Sequence, residues 1–166
     1  MKDFGSLTGN EMFARREAAE KVLSELIGKL VFKYSRLVTG LHLCVAWHDE
    51  GKGLGNYGAI ADDLAVAELL KRIENQARTK LGNNSREFKK YRVWVRRAHE
   101  LRVFRNLLMH SRLEIEAYGR HAIATSSIFV EPVRATNFTI DELEKSCNTC
   151  DMLINDLYAL RREHPL

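Results

Sequence analysis

Apolar residues recur every three or four positions through four long segments, and this period constrains the fold of the chain more than any other feature. The first segment predicts one helix over about residues 11–47, with Thr8 and Glu11 at the spacing of a capping box before it. Its apolar series is Phe13, Val22, Leu23, Leu26, Ile27, Leu30, Val31, Leu37, Val38, Leu41 and Cys44. A series this long indicates a helix with one face against a core.

The same period predicts a second and a third helix. The second begins near Leu64 and stops at Gly82, a residue suited to the positive φ that follows many helix ends. Asn84, with Glu87 three residues later, predicts the start of the third helix, and its pattern continues to about Leu113.

Between residues 114 and 140 the period changes towards alternation, which is typical of strands. Gly119 and Arg120 are the candidate turn, and Thr139 with Glu142 forms a second capping box that opens the last helix. The sequence therefore predicts an all-α fold, an up-down four-helix bundle with a short β-hairpin or irregular insertion before the last helix.

Composition limits the class of protein. A chain of 166 residues, 45% hydrophobic and 29% charged, fits a single helical domain over residues 1–166. Its longest apolar run, Leu41 to Trp47, contains His42 and is too short to span a bilayer, and the N-terminus lacks the apolar run of a signal peptide. We therefore expect a cytoplasmic protein whose three cysteines are thiols.

Positive charge is concentrated in the third helix. Residues 85–113 hold nine Lys and Arg and two acidic residues, a local balance of +7 in a chain whose total is +4. Such an element suits an anionic partner, most often nucleic acid, although a solvated basic helix face explains the charge equally well.

Cys147 and Cys150 have the spacing of redox pairs and of half a zinc site. Both fall on the apolar stripe of the last helix, and no second pair of this kind occurs in the sequence. Core packing is therefore the better interpretation. The sequence predicts no metal site and no cofactor.

Arg105 is unusual for a charged residue. On a helical map of about 100° per residue, it lies about 20° from Trp94, inside the stripe that the apolar residues define. A buried guanidinium needs a carboxylate, backbone carbonyls or a bound anion, because leaving it unpaired costs several kcal/mol. The plainer interpretation is a structural ion pair, with a carboxylate of Asp62, Asp63 or Glu100 as the partner.

Asn106 and His110 map to a neighbouring polar arc. They lie four residues apart on one side of the helix, together with the basic residues Arg92 and Arg96. Arg105 and His110 are about 140° apart on an unbroken helix, so they converge only if the helix kinks or ends near His110, or across a subunit interface.

The residues from Arg105 to His110, with Asn106 second, resemble the R-N-x-x-x-H motif of the HEPN superfamily. The resemblance implies a dimerising helical bundle and, in many members, metal-independent endoribonuclease activity at the dimer cleft. It makes Arg105, Asn106 and His110 the catalytic candidates. The toxin branch that pairs with a nucleotidyltransferase antitoxin has a tyrosine two residues after the histidine, and this chain departs from it with Arg112.

The leading hypothesis is therefore a homodimeric HEPN-type ribonuclease, acting as a toxin or defence effector, with an antitoxin or another protein as a candidate partner. His110 transfers protons, Arg105 stabilises the phosphate, and Asn106 orients His110 or the scissile group. The predicted RNA-binding residues are Lys89, Arg92, Arg96, His99 and Arg102. The alternatives are a non-catalytic HEPN module that binds RNA, a nucleotide or a protein, and a structural bundle in which Arg105 is ion-paired and His110 is closed to solvent.

Overall fold

The structure, a computed structural model, describes residues 8–51, 54–55, 64–116, 121–125 and 134–166. These residues contain four α-helices, α1 (Gly9–Ala46), α2 (Val66–Leu81), α3 (Arg86–His110) and α4 (Ile140–Glu163), and a short 3-10 helix, His48–Gly51. A small antiparallel sheet precedes α4. The predicted helical fold, with a strand insertion before the last helix, is confirmed. Among the described helices, none combines the length and the apolar character needed to cross a membrane.

Three of the predicted helix boundaries have the expected local chemistry. At the start of α1, the Thr8 backbone N–H donates to the Glu11 carboxylate at 2.8 Å, and the Glu11 N–H donates to Thr8 Oγ1 at 3.4 Å. Thr139 and Glu142 repeat this exchange at the start of α4, at 2.8 and 3.1 Å. Gly82 has a φ of +84° directly after α2. Both predicted capping boxes and the glycine stop are confirmed.

The boundaries of α3 differ from the prediction. Ser85, not Asn84, caps the helix, because its Oγ accepts the Phe88 backbone N–H at 3.0 Å. The helix ends at His110, three residues before Leu113, because the chain enters a strand two residues later. The correction places His110 in the last position of the helix.

The insertion is a sheet of three strands with the order β1-β2-β3. Its strands are β1 (Arg112–Ile115), β2 (His121–Thr125) and β3 (Ala135–Thr139), and both pairings are antiparallel. Ala122 pairs with Ile115 on one side and with Phe138 on the other, and all three side chains are buried. β3 extends the predicted hairpin to a third strand. The predicted turn at Gly119 and Arg120 lies outside the described residues.

The contacts divide the chain into two compact units. One comprises Met1–Val31 with Arg105–Cys147, and the other comprises Phe32–Phe104 with Asn148–Leu166. The sheet and the Arg105 to His110 motif belong to the first unit, and the preceding basic part of α3 belongs to the second.

In the second unit, α3 and α4 run in opposite directions. Arg97 pairs with Asp156 at 2.8 Å, whereas Lys90, two turns earlier on α3, pairs with Glu163, two turns later on α4, at 3.7 Å. The predicted up-down order therefore describes these two consecutive helices.

The second-unit parts of α1 and α4 run in the same direction. Lys33 forms an ion pair with Asp151, and a Cβ on Gly40 would lie 3.9 Å from Leu157 Cδ2. From the first contact to the second, the residue number rises on both helices, so the two helices are parallel in this unit.

The two cysteines of the C-x-x-C pair are buried, as the core-packing interpretation predicts. Cys147 and Cys150 both have 0% exposure. In the first unit, Cys147 Sγ lies 3.5 Å from the carbonyl oxygen of Leu26.

Cys44 is buried in the second unit, where burial raises the pKa of its thiol to about 11, a shift partly opposed by the nearby positive charge of Arg161. Its ordinary value is 9.0, so between these two pH values the unfolded chain loses a proton that the folded chain keeps. Fewer bound protons in the unfolded state mean that the free energy of unfolding falls as the pH rises.

We expect that fall to be about 2–3 kcal/mol from this thiol, at up to about 1.4 kcal/mol per pH unit. Urea denaturation at several pH values between 8 and 11 measures it, and Cys44→Ala is the control because it removes the titrating thiol. Equal pH dependence in the variant and the wild type would contradict the assignment. Burial also raises the pKa of Tyr91, and the negative charge of the Cys44 thiolate raises it further, so the difference between the two proteins reports the thiol together with its coupling to Tyr91.

Candidate functional site

Arg105 lies in the last turns of α3 with its side chain half-buried, as the helical map predicts. Its Nε is buried, and its Nη1 donates a hydrogen bond to Asn106 Oδ1 at 3.2 Å. A guanidinium carries five N–H donors in a planar fork. The contact with Asn106 therefore helps to fix the plane in which this fork can meet an anion.

Asn106 is half-buried beside Arg105. Its carbonyl oxygen accepts the hydrogen bond from Arg105. Because the oxygen and the nitrogen lie at opposite ends of the amide, the NH₂ group points away from the guanidinium with two donors of its own. Asn106 is thus positioned to orient Arg105 and to donate to a bound group.

His110 is exposed at the last position of α3, and Ser111 forms a bend directly after it. The helix end near His110 meets one of the conditions under which Arg105 and His110 can converge. Among the residues that the structure describes, none forms a hydrogen bond or an ion pair with the imidazole, so both ring nitrogens are available to a substrate.

No family model, curated protein or solved structure matches this chain.

The structural-bundle alternative predicts a closed His110 and a carboxylate on Arg105. The exposure of His110 is the opposite of its first requirement. Of the carboxylates proposed for the second, Glu100 contacts Arg96 at 3.9 Å, and Asp62 and Asp63 lie outside the described residues. The exposed His110 therefore lacks one of the two features that the structural-bundle alternative requires.

Four of the five predicted RNA-binding residues lie on the surface of α3. Lys89, Arg92, Arg96 and His99 are all exposed. Arg102 is half-buried, and among the described residues nothing accepts a hydrogen bond from its buried Nε. Its partial burial makes it a less accessible phosphate contact than the other four.

The exposed cations of α3 border two grooves in the second unit. The groove towards α2 has a volume of about 410 Å³, and Arg92, Arg96 and His99 line it from α3. Lys71 of α2 adds a cation from the opposite wall. Lys71 could not be identified as a functional residue from the sequence, because the period of one helix does not reveal which neighbouring helix faces it.

The groove towards α4 has a volume of about 500 Å³ and contains ion pairs between its two helices. Its charged lining residues are Arg86, Lys89, Lys90 and Arg97 of α3 and Asp156 and Glu163 of α4. Arg97 is paired with Asp156, and Lys90 with Glu163. Two of its cations therefore join the helices, and Arg86 and Lys89 remain available to a partner.

Metal-ligating side chains do not gather in the described part of the chain. Across those residues, no three His, Cys, Asp or Glu side chains are grouped as potential ligands of one ion. The chemistry of the candidate site is thus argued from its arginine, amide and imidazole groups.

Proposed function

We propose that this protein is a metal-independent endoribonuclease in which Arg105, Asn106 and His110 form the catalytic set. The observation that carries the proposal is that one helix end presents two complementary groups. These are the half-buried guanidinium of Arg105, which is hydrogen-bonded to Asn106, and the exposed imidazole of His110. The resemblance of these residues to the HEPN motif supports the same assignment.

The residue types suit cleavage by the 2′-hydroxyl of RNA. A base removes the 2′-hydroxyl proton, the 2′-oxygen attacks the phosphorus, and the bond from phosphorus to the 5′-oxygen breaks. An acid returns a proton to the leaving 5′-oxygen, which leaves a 2′,3′-cyclic phosphate and a 5′-hydroxyl. Histidine exchanges protons near neutral pH, and the fork of Arg105 matches the phosphate oxygens, on which negative charge develops.

Two copies of the site explain why we propose a homodimer. One imidazole cannot act as base and acid at the same moment, whereas two copies of His110 supply both roles. A two-fold axis brings identical surfaces together, so one interface can place two Arg105 and His110 sets around one phosphate. The role of a toxin or defence effector, restrained by an antitoxin, is the biological setting that we propose for this activity.

A second candidate function is a non-catalytic module that binds RNA, a nucleotide or a protein partner. The exposed cations of α3 favour it, because Lys89, Arg92 and Arg96 offer an anion-binding surface whether or not His110 transfers protons. RNA cleavage distinguishes the two candidate functions, because only the nuclease cuts the RNA that it binds.

The wild-type protein is expected to cut a single-stranded RNA in excess EDTA, since imidazole and guanidinium groups supply the proton transfers and the charge. An otherwise identical RNA with one 2′-deoxy nucleotide should lose cleavage at that nucleotide only, because the attacking oxygen is missing. Gel electrophoresis measures cleavage of both RNAs, and mass spectrometry identifies the cyclic phosphate ends. Binding of RNA without cleavage in any buffer would replace the nuclease with the binding module.

A further inference from the structure

The groove between α2 and α3 carries positive charge that the protein itself does not neutralise. Among the described residues, no carboxylate lies within ion-pairing distance of Lys71 or Arg92. Arg96 meets Glu100 at only 3.9 Å, and their side chains are 71% and 68% exposed, so this contact is weak. Glu74, the acidic residue of the groove, is paired with Arg78 at 3.4 Å.

The α4 side differs because two of the four α3 cations that line its groove are paired with carboxylates of α4. Arg97 meets Asp156 at 2.8 Å, and Lys90 meets Glu163 at 3.7 Å. These pairs use positive charge of α3 to hold the adjacent helix. Among the described residues, no ion pair joins α2 to α3 in the same way, so Lys71 and Arg92 are open to neutralisation by an external anion.

The arrangement of the groove suits an extended polyanion. Arg92 and Arg96 are one turn apart, a rise of about 6 Å along the helix axis. Lys71 faces them from α2, and the nearly buried side chains of Leu70 and Val95 form an apolar floor. Cations on both walls can contact successive phosphates while the floor accepts the apolar faces of riboses or bases.

We propose that the groove between α2 and α3 binds the phosphodiester backbone of single-stranded RNA, with Lys71, Arg92 and Arg96 contacting its phosphates. A single strand suits the groove because its unstacked bases and riboses can contact the apolar floor, whereas a duplex presents mainly its phosphates. RNA as the ligand rests on the proposed function, but binding in the groove requires no cleavage.

The test measures binding of a fluorescent uridine oligonucleotide whose 2′-O-methyl groups prevent cleavage, by anisotropy over a range of salt concentrations. Arg92→Ala should weaken affinity about three- to ten-fold and reduce the slope of log affinity against log salt by about 0.7, and Lys71→Ala should act in the same way. Arg92→Lys should retain most of the affinity because it keeps the charge. Arg86→Ala is the matched control, since Arg86 is exposed on the same helix and lines the α4 groove.

Three results would overturn the proposal: no binding of the oligonucleotide, equal losses for Arg86→Ala and Arg92→Ala, or a preference for duplex RNA or an acidic peptide. Circular dichroism of each variant verifies that the helices remain intact. A protein that binds in this groove and never cuts RNA refutes the nuclease alone. A protein that cuts RNA while Lys71→Ala and Arg92→Ala bind at wild-type affinity refutes the groove alone.

Discussion

His110→Ala is expected to lower the rate of RNA cleavage by about 10²- to 10⁴-fold, the usual range for removing a general acid or base. RNA affinity should persist, because the exposed cations of α3 are unchanged. Single-turnover cleavage with protein in excess over RNA measures the chemical step separately from binding. The helix should also persist, because the side chain of His110 is exposed at its last position.

His121→Ala is the matched control, because His121 is an exposed histidine on β2 and lies outside the predicted catalytic and RNA-binding sets. At saturating protein, it should cut RNA at the wild-type rate. If the two copies of His110 share the acid and base roles, excess His110→Ala protein should also inhibit the wild type by forming mixed dimers. Cleavage by His110→Ala at the wild-type rate would remove the histidine from the mechanism.

The helices could be predicted because each carries its own signals. A capping box depends on two residues three positions apart, and the Thr8–Glu11 and Thr139–Glu142 boxes both form as predicted. The direction of α1 relative to α4 could not be predicted in this way. It depends on contacts such as Lys33 with Asp151, which are far apart in the sequence and have no local pattern.

The candidate site shows the same division between local and non-local information. The helical map predicts the half-buried position of Arg105, since burial follows the angle around one helix. Arg102 lies about 80° from Trp94 on that map, at the edge of the stripe, which explains why it is half-buried instead of fully exposed. The position of Lys71 at the groove could be found only from the structure, because it depends on the packing of α2 against α3.

Trp94→Ala is expected to lower the free energy of unfolding by about 3–5 kcal/mol, the typical cost of truncating a large aromatic side chain in a core. Trp94 is 2% exposed, and its Nε1 donates a hydrogen bond to the Leu153 carbonyl oxygen of α4 at 2.9 Å. The substitution removes this bond and leaves a cavity between the helices. Domains are commonly stable by about 5–15 kcal/mol, so the loss is a large part of the total.

Urea denaturation followed by circular dichroism measures the effect, and two variants separate its causes. Trp94→Phe keeps an aromatic ring and loses the N–H donor and part of the volume, so its loss should be smaller than that of Trp94→Ala. Val93→Ala, at a neighbouring position that is 48% exposed, should change the free energy by less than about 0.5 kcal/mol. If Trp94→Ala were as stable as Val93→Ala, the indole would not hold α3 against α4, and the helix that carries both the basic groove and the catalytic candidates would need another anchor.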